Sequence, residues 1–227
     1  MSISGRRLYL CTPDRPDLER FLADAIAGGV DVVQLRDKAL EASVVVARAR
    51  TAAAVCRDHG VPFVVNDRPD VALESGADGV HVGQDDVSPA TARAILGPAA
   101  VVGRSTHAPD EAAAAVHEPV DYVSAGPVVA TPTKPGRPGT GVGYVTEAVR
   151  LSGGRPVFVT GGVDPHTVSG LAAAGARHFV VVRFLTQSTD VRADAERLRR
   201  AVDDAVERAE RADEAAGVSG AGARATP

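Results

Sequence analysis

Gly76-Ala77-Asp78-Gly79-Val80-His81-Val82-Gly83-Gln84-Asp85-Asp86 reads as the end of a helix, a short strand and the polar loop that leaves it. Glycine supplies the left-handed backbone on which helices commonly close. The same phrase returns in Gly28-Gly29-Val30-Asp31 and Gly175-Ala176-Arg177-His178, each time where a helix stops and the next strand begins. Working outward from these, eight short apolar, β-branched runs emerge: Leu8 to Cys11, Val30 to Leu35, Pro62 to Val65, Gly79 to Val82, Ala100 to Gly103, Tyr122 to Ser124, Pro156 to Thr160 and His178 to Val182. Helical segments separate them, the pattern of βαβ units around a parallel sheet buried on both faces. Eight alternations favour a closed α/β (β/α)8 TIM barrel over an open doubly wound sheet. Ser88-Pro89 and Asp164-Pro165 each place an N-cap oxygen before a proline at the first helical position. A charged, Ala-rich helix is expected from Asp190 to about Ala215, which makes 1–215 one catalytic barrel domain and leaves 216–227 as a disordered tail.

Composition narrows the function. At 227 residues the chain fits one such barrel, and with 4% aromatics and no Trp its core must be mainly Val, Ala, Leu and Ile. A net charge of −4 with scattered basic residues offers no footprint for nucleic acid or an anionic membrane. No apolar run approaches the ~18 residues of a membrane span, and the first residues lack a signal-type apolar core, so a cytoplasmic, reduced protein is expected. Cys11 and Cys56 fall in different elements without metal-type spacing and are expected to be buried small apolar residues rather than a zinc or disulfide pair. Of the 25 basic residues only Lys38 and Lys134 are lysines, which marks them as places where a compact ammonium charge is wanted.

Chemistry in such barrels sits at the C-terminal ends of the strands. The second run ends in Gln34-Leu35-Arg36-Asp37-Lys38, where alternation sends Gln34, Arg36 and Lys38 to one side: an amide and two cations suited to a phosphorylated ligand. The third ends in Asn66-Asp67 and the fourth leads to Asp85-Asp86. Carboxylates on neighbouring strands suit Mg²⁺, which binds through one or two of them and keeps water and phosphate as its other ligands; the competing use of each aspartate is to cap the next helix. His81 is expected to pack inside the barrel. After the fifth run, Ser105 offers a hydroxyl to a phosphate or a cap to the next helix, and His107 is a weaker candidate acid or base. A Pro/Gly-rich stretch from Gly126 to Gly143 holds Thr131-Pro132-Thr133-Lys134 and reads as a phosphate-gripping lid. The seventh run ends in Thr160-Gly161-Gly162 and the eighth in Val182-Arg183, where barrels often hold phosphate.

As a set, Gln34 to Lys38, Asn66-Asp67, His81 to Asp86, Ser105 to His107, Gly126-Pro127, Thr131 to Lys134 and Gly161-Gly162 resemble the thiamine phosphate synthase family, in family order from about residue 8 to 185. The resemblance implies a condensation of an aminopyrimidine pyrophosphate with a carboxylated thiazole phosphate to give thiamine phosphate, CO2 and pyrophosphate. It implies that Gln34, Leu35, Arg36, Asp37, Lys38, Asn66, Ser105 and Lys134 hold the pyrimidine pyrophosphate, with Arg36, Lys38, Ser105 and Lys134 as the catalytic members. Asp67 and Asp86 would bind Mg²⁺, and Thr131, Pro132, Thr133, Gly162, Val182 and Arg183 would hold the thiazole phosphate. A homodimer is implied by the family alone. Arg104 and Arg183 depart from it: Arg104 stands where members often have a small apolar residue, and Arg183 where some have Ser. The rival readings are a thiazole tautomerase on the same barrel, which would use His107 for proton transfer, another phosphate-binding barrel isomerase, and a non-catalytic sensor of thiamine phosphates.

Overall fold

The computed structural model describes residues 1–37, 41–131 and 138–222, giving backbone alone for Ala42 and 216–222. Eight parallel strands close into a barrel in sequence order: β1 (Leu8–Thr12), β2 (Val32–Leu35), β3 (Phe63–Asn66), β4 (Gly79–Val82), β5 (Val101–Thr106), β6 (Tyr122–Ala125), β7 (Val157–Thr160) and β8 (His178–Val181). Closure is direct, with Leu8 opposite Phe179 and Tyr9 opposite Val180. Between them run α1 (Leu18–Ala27), α2 (Ala42–Asp58), α3 (Pro69–Ser75), α4 (Pro89–Leu96), α5 (Pro109–Ala115), α6 (Gly141–Leu151) and α7 (Val168–Ala173), followed by α8 (Arg183–Thr186) and α9 (Val191–Gly222). Among the described residues no helix is long and apolar enough to cross a membrane.

The glycine phrases do what their composition predicts, with one addition. Gly76 closes α3 in the left-handed conformation at φ 70°, and Gly29 and Gly175 take φ 106° and 101°. The aspartates that follow the first two phrases tie the bottoms of strands together. Asp31 accepts from the N–H groups of Arg7 and Leu8, and Asp78 from that of Phe63. Asp121 repeats the contact with Val102 at 2.7 Å. Each carboxylate satisfies strand donors at the barrel end away from the candidate site, where an unpaired buried N–H would be costly.

Two apolar clusters follow from strand alternation. Leu10, Val33, Leu35 and Val65 face the helices, while Tyr9, Val32, Val64, Val101, Tyr122, Phe158 and Val180 fill the barrel interior. The interior is therefore less aliphatic than composition implies. Phe158 meets Tyr9 and Tyr122 edge-on at centroid distances of 5.3 and 5.2 Å, which puts an aromatic centre on the barrel axis. Truncating such a ring costs about 3–5 kcal/mol.

Several boundaries differ from the sequence reading. The fifth strand continues past Gly103 through Thr106, because pairing of Ser105 with Ser124 and Thr106 with Ala125 extends the ladder over polar residues. Ser105 is accordingly a strand residue and caps no helix. Helix α7 starts at Val168, since Asp164 caps a preceding turn by accepting from the N–H groups of His166 and Thr167. Ser88 caps α4 as expected, accepting from Thr91 N–H at 3.1 Å. Val182 and Arg183 are the cap and first residue of α8 rather than the end of β8. The backbone of α9 stays helical to Gly222, beyond Ala215, because no proline interrupts the Ala-rich run; 223–227 lie outside the described residues.

Candidate functional site

At the C-terminal ends of the strands a cavity of about 280 Å³ opens over the interior aromatics. Alternation explains its lining: on each strand the residue two positions beyond an interior apolar one reaches the mouth. Val32 leads to Gln34, Val64 to Asn66, Tyr122 to Ser124 and Phe158 to Thr160. Of the residues expected at the site, Gln34, Arg36, Asn66, Ser105, Thr131, Gly162, Val182 and Arg183 all line this one cavity. Leu35 does not, because its side chain belongs to the core between barrel and helices. Asp37 sits just past β2, off the cavity wall. Lys38, Pro132, Thr133 and Lys134 lie outside the described residues.

Arg36 from the end of β2 and Arg183 from the start of α8 both face the cavity, and among the described residues neither is paired with a carboxylate. Gly161 and Gly162, at φ 98° and 81°, carry the chain past β7 against the loop after β6. A Cβ on Gly161 would lie 2.6 Å from Val128 N, and one on Gly162 2.7 Å from Val129 Cγ2. Only glycine permits that approach, which leaves main chain on the wall of the cavity that Arg183 also lines. The two ends of the expected lid are joined at its base, where Thr140 N–H donates to Pro127 O at 2.8 Å and Gly141 N–H to Val128 O at 3.0 Å.

Neither Asp67 nor Asp86 caps a helix: Arg68 occupies the cap position of α3 without a side-chain bond, and Ser88 caps α4. Asp67 is the non-glycine residue with positive φ among those described, at 62°, and its N–H donates to His81 O at 2.8 Å. Aspartate tolerates this conformation better than most side chains. Asp86 Oδ2 accepts from Gly83 N–H at 2.8 Å. Neither carboxylate is on the cavity wall itself; both leave adjacent strands beside it.

Arg104, the departure noted above, has a place in this loop. Its Nη1 donates to Gly83 O at 2.6 Å and its Nη2 to Gln84 Oε1 at 3.1 Å, while Gln84 Nε2 donates to Ser105 O at 2.6 Å. His107 faces the Gly126 carbonyl and does not line the cavity. His81 packs inside the barrel as expected, with its ring stacked on Tyr122. Cys56 is a thiol buried in α2, and burial pushes it up to about 12. Cys11 is also a buried thiol outside any disulfide, yet it lines the cavity, as do Tyr9, Tyr122, Ser124 and Thr160. Apart from Thr160, which stands at the end of the seventh run, the sequence reading missed these residues, although the alternation that selects Gln34 also selects them.

The model of the family described as thiamine monophosphate synthase matches residues 8–185. The chain belongs to that family. It is 48% identical over 202 residues to a thiamine-phosphate synthase of Thermobifida fusca, covering 87% of this chain and 93% of that protein. With the protein of that name from Thermus thermophilus it shares 48% identity over 198 residues, 85% of this chain and 95% of the other. Among solved structures it resembles a thiamine phosphate pyrophosphorylase from Pyrococcus furiosus, with TM-score 0.80, 28% identity and coverage of 88% and 96% of the two chains. A 3-hexulose-6-phosphate synthase from Salmonella typhimurium, at TM-score 0.66 and 14% identity over 88% of this chain and 99% of that one, shares the barrel alone.

Proposed function

We propose that this member of the thiamine monophosphate synthase family is itself a thiamine-phosphate synthase. It joins 4-amino-2-methyl-5-(diphosphooxymethyl)pyrimidine to a carboxylated thiazole phosphate, yielding thiamine phosphate, CO2 and pyrophosphate. The observation that carries the reading is a single cavity lined by two arginines, Arg36 after β2 and Arg183 after β8, together with Gly161-Gly162 and a set of amides and hydroxyls. That layout suits two phosphorylated partners held with their rings face to face.

The C–O bond to pyrophosphate breaks with its electron pair leaving on oxygen, and the aminopyrimidine stabilises the methylene cation left behind. The thiazole nitrogen forms the new C–N bond; the carboxylate then departs as CO2, leaving its electron pair on the ring carbon, which takes a proton from solvent to give thiamine phosphate. No strong general base is needed for bond cleavage. The protein must neutralise the leaving group, align the rings and exclude water. Arg36, Lys38 and Lys134 supply positive charge to the pyrophosphate, and Gln34, Asn66 and Ser105 orient the pyrimidine. Thr131, Pro132, Thr133, Gly162, Val182 and Arg183 receive the thiazole phosphate.

Asp67 and Asp86 would hold Mg²⁺. Two hard carboxylates after adjacent strands, neither spent as a helix cap, fit an ion that takes its remaining ligands from water and phosphate. When bound, the ion supplies positive charge to the departing pyrophosphate. His107, which a tautomerase would use, is turned to a main-chain carbonyl, and this favours the synthase.

The test is formation of thiamine phosphate from the two substrates with Mg²⁺, comparing wild type with Asp67→Ala and Asp86→Ala. Turnover by wild type with loss of at least ~100-fold in both variants at limiting metal supports the reading. Isomerisation of the thiazole carboxylate without condensation replaces it with the tautomerase.

A further inference from the structure

Beneath the cavity a chain of buried hydrogen bonds links Gln34 to Ser105, two residues assigned to the pyrimidine above, through side chains to which the condensation assigns no role. Gln34 Nε2 donates to Tyr9 Oη at 2.9 Å, and Cys11 Sγ donates to Gln34 Oε1 at 3.0 Å. Tyr9 Oη lies 3.0 Å from Tyr122 Oη, which lies 3.0 Å from His81 Nδ1. His81 Nε2 in turn lies 2.9 Å from Ser105 Oγ, closer than Ser124 Oγ at 3.4 Å. Tyr9 and Tyr122 are 2% and 0% exposed, and Gln34, His81 and Ser105 are buried with them. The fold makes room for the centre of this chain. A Cβ on Gly103 would lie 2.1 Å from Tyr122 Cζ and 2.5 Å from His81 Nδ1, so glycine in β5 is what lets the two rings stack.

Proton counting sets the direction. Tyr9 Oη already accepts from Gln34. If it also accepted from Tyr122, its own proton would be buried without an acceptor, at a cost of about 1–3 kcal/mol. Tyr9 therefore donates to Tyr122, and Tyr122 donates to His81 Nδ1. Burial raises the pKa of both phenols, so both remain O–H donors. A nitrogen that accepts carries no proton, which leaves the imidazole proton on Nε2, donating to Ser105 Oγ.

We propose that these side chains form a one-way hydrogen-bond relay running from Gln34 through Tyr9, Tyr122 and His81 to Ser105, which makes Ser105 Oγ an acceptor on its His81 side and leaves its hydroxyl proton available to the bound substrate. The substrate atom that takes this proton is an acceptor, a ring nitrogen or a phosphate oxygen. Tyr122 and His81 are positioning residues that act through Ser105. Only the identity of the acceptor rests on the function proposed above; the direction of the relay does not.

The experiment is ¹⁵N NMR of the histidine rings in the full-length protein, with His81 assigned by its loss in His81→Gln, together with steady-state kinetics in the pyrimidine pyrophosphate. In wild type the His81 proton is expected on Nε2, with Nδ1 bare. Tyr9→Phe leaves the Tyr122 donation intact, so it should keep that tautomer. Tyr122→Phe removes the donor to Nδ1, so the single tautomer should be lost and kcat/KM should fall about tenfold, the equivalent of one hydrogen bond. A proton on Nδ1 in wild type overturns the relay, as does an unchanged Nε2–H tautomer in Tyr122→Phe. Because the tautomer is read without substrate, failure of the relay is separable from failure of the synthase reading, which would appear as absent turnover in wild type.

Discussion

Arg104 Nη1 donates to the carbonyl of Gly83 at 2.6 Å, bridging from the outer face of β5 to the turn after β4. The same turn gives its Gly83 N–H to Asp86 Oδ2, so the guanidinium and the carboxylate grip one peptide segment from opposite ends. Glu118 Oε2 stands 3.4 Å from Arg104 Nε and holds the cation in place. Arg104→Met should loosen the turn that presents Asp86. The expected outcome is about a tenfold weaker apparent affinity for Mg²⁺, with kcat at saturating metal within about threefold of wild type. Metal titrations of turnover, and of Mn²⁺ binding followed by paramagnetic resonance, check it.

Arg36 follows β2 and Arg183 follows β8, and assigned to different substrates they should separate kinetically. Arg183→Ser should raise KM for the thiazole phosphate about tenfold or more and leave KM for the pyrimidine pyrophosphate within about twofold. Arg36→Gln should instead lower kcat by about 10²-fold, because the charge it meets grows as pyrophosphate leaves. Initial rates with each substrate varied in turn distinguish the two.

Gly161 combines φ 98° with a backbone neighbour 2.6 Å from where a Cβ would stand. Gly161→Ala must move either β7 or the loop at Val128. A loss of about 1–3 kcal/mol in stability is expected, together with a higher KM for the thiazole phosphate. Urea denaturation and steady-state kinetics measure the two effects.

His178 lies at the end of the barrel away from the cavity, with Nδ1 at the carbonyl of Arg6 and its ring against Phe158 at 5.0 Å. Burial lowers its pKa, outweighing the carbonyl of Arg6 and the charge of Asp31, while Arg7 and Arg177 push in the same direction as burial. Folding favours the neutral ring, so its contribution is complete above the unfolded value near ~6.5 and is lost as pH falls towards the depressed folded value. His178→Gln should therefore lose less thermal stability than wild type between about pH 6.5 and 5. Melting temperatures across that range settle the sign.

Much of this protein was legible from local pattern. Glycine at helix ends and period-two alternation locate all eight strands, because left-handed caps and strand sidedness are properties of a few consecutive residues. The same alternation brings Gln34, Arg36, Asn66 and Ser105 to one mouth once the strands are parallel. What only tertiary structure decided lies between residues far apart in the chain. Tyr9 and Tyr122 read as core aromatics in isolation, and they meet as hydrogen-bond partners because barrel closure sets β1 across the axis from β6. Arg104 reads as an anomaly until β4 lies beside β5 and supplies the Gly83 carbonyl. Side-chain direction is a local consequence of strand geometry, whereas the partner at the end of that side chain is set by the closure of the whole sheet.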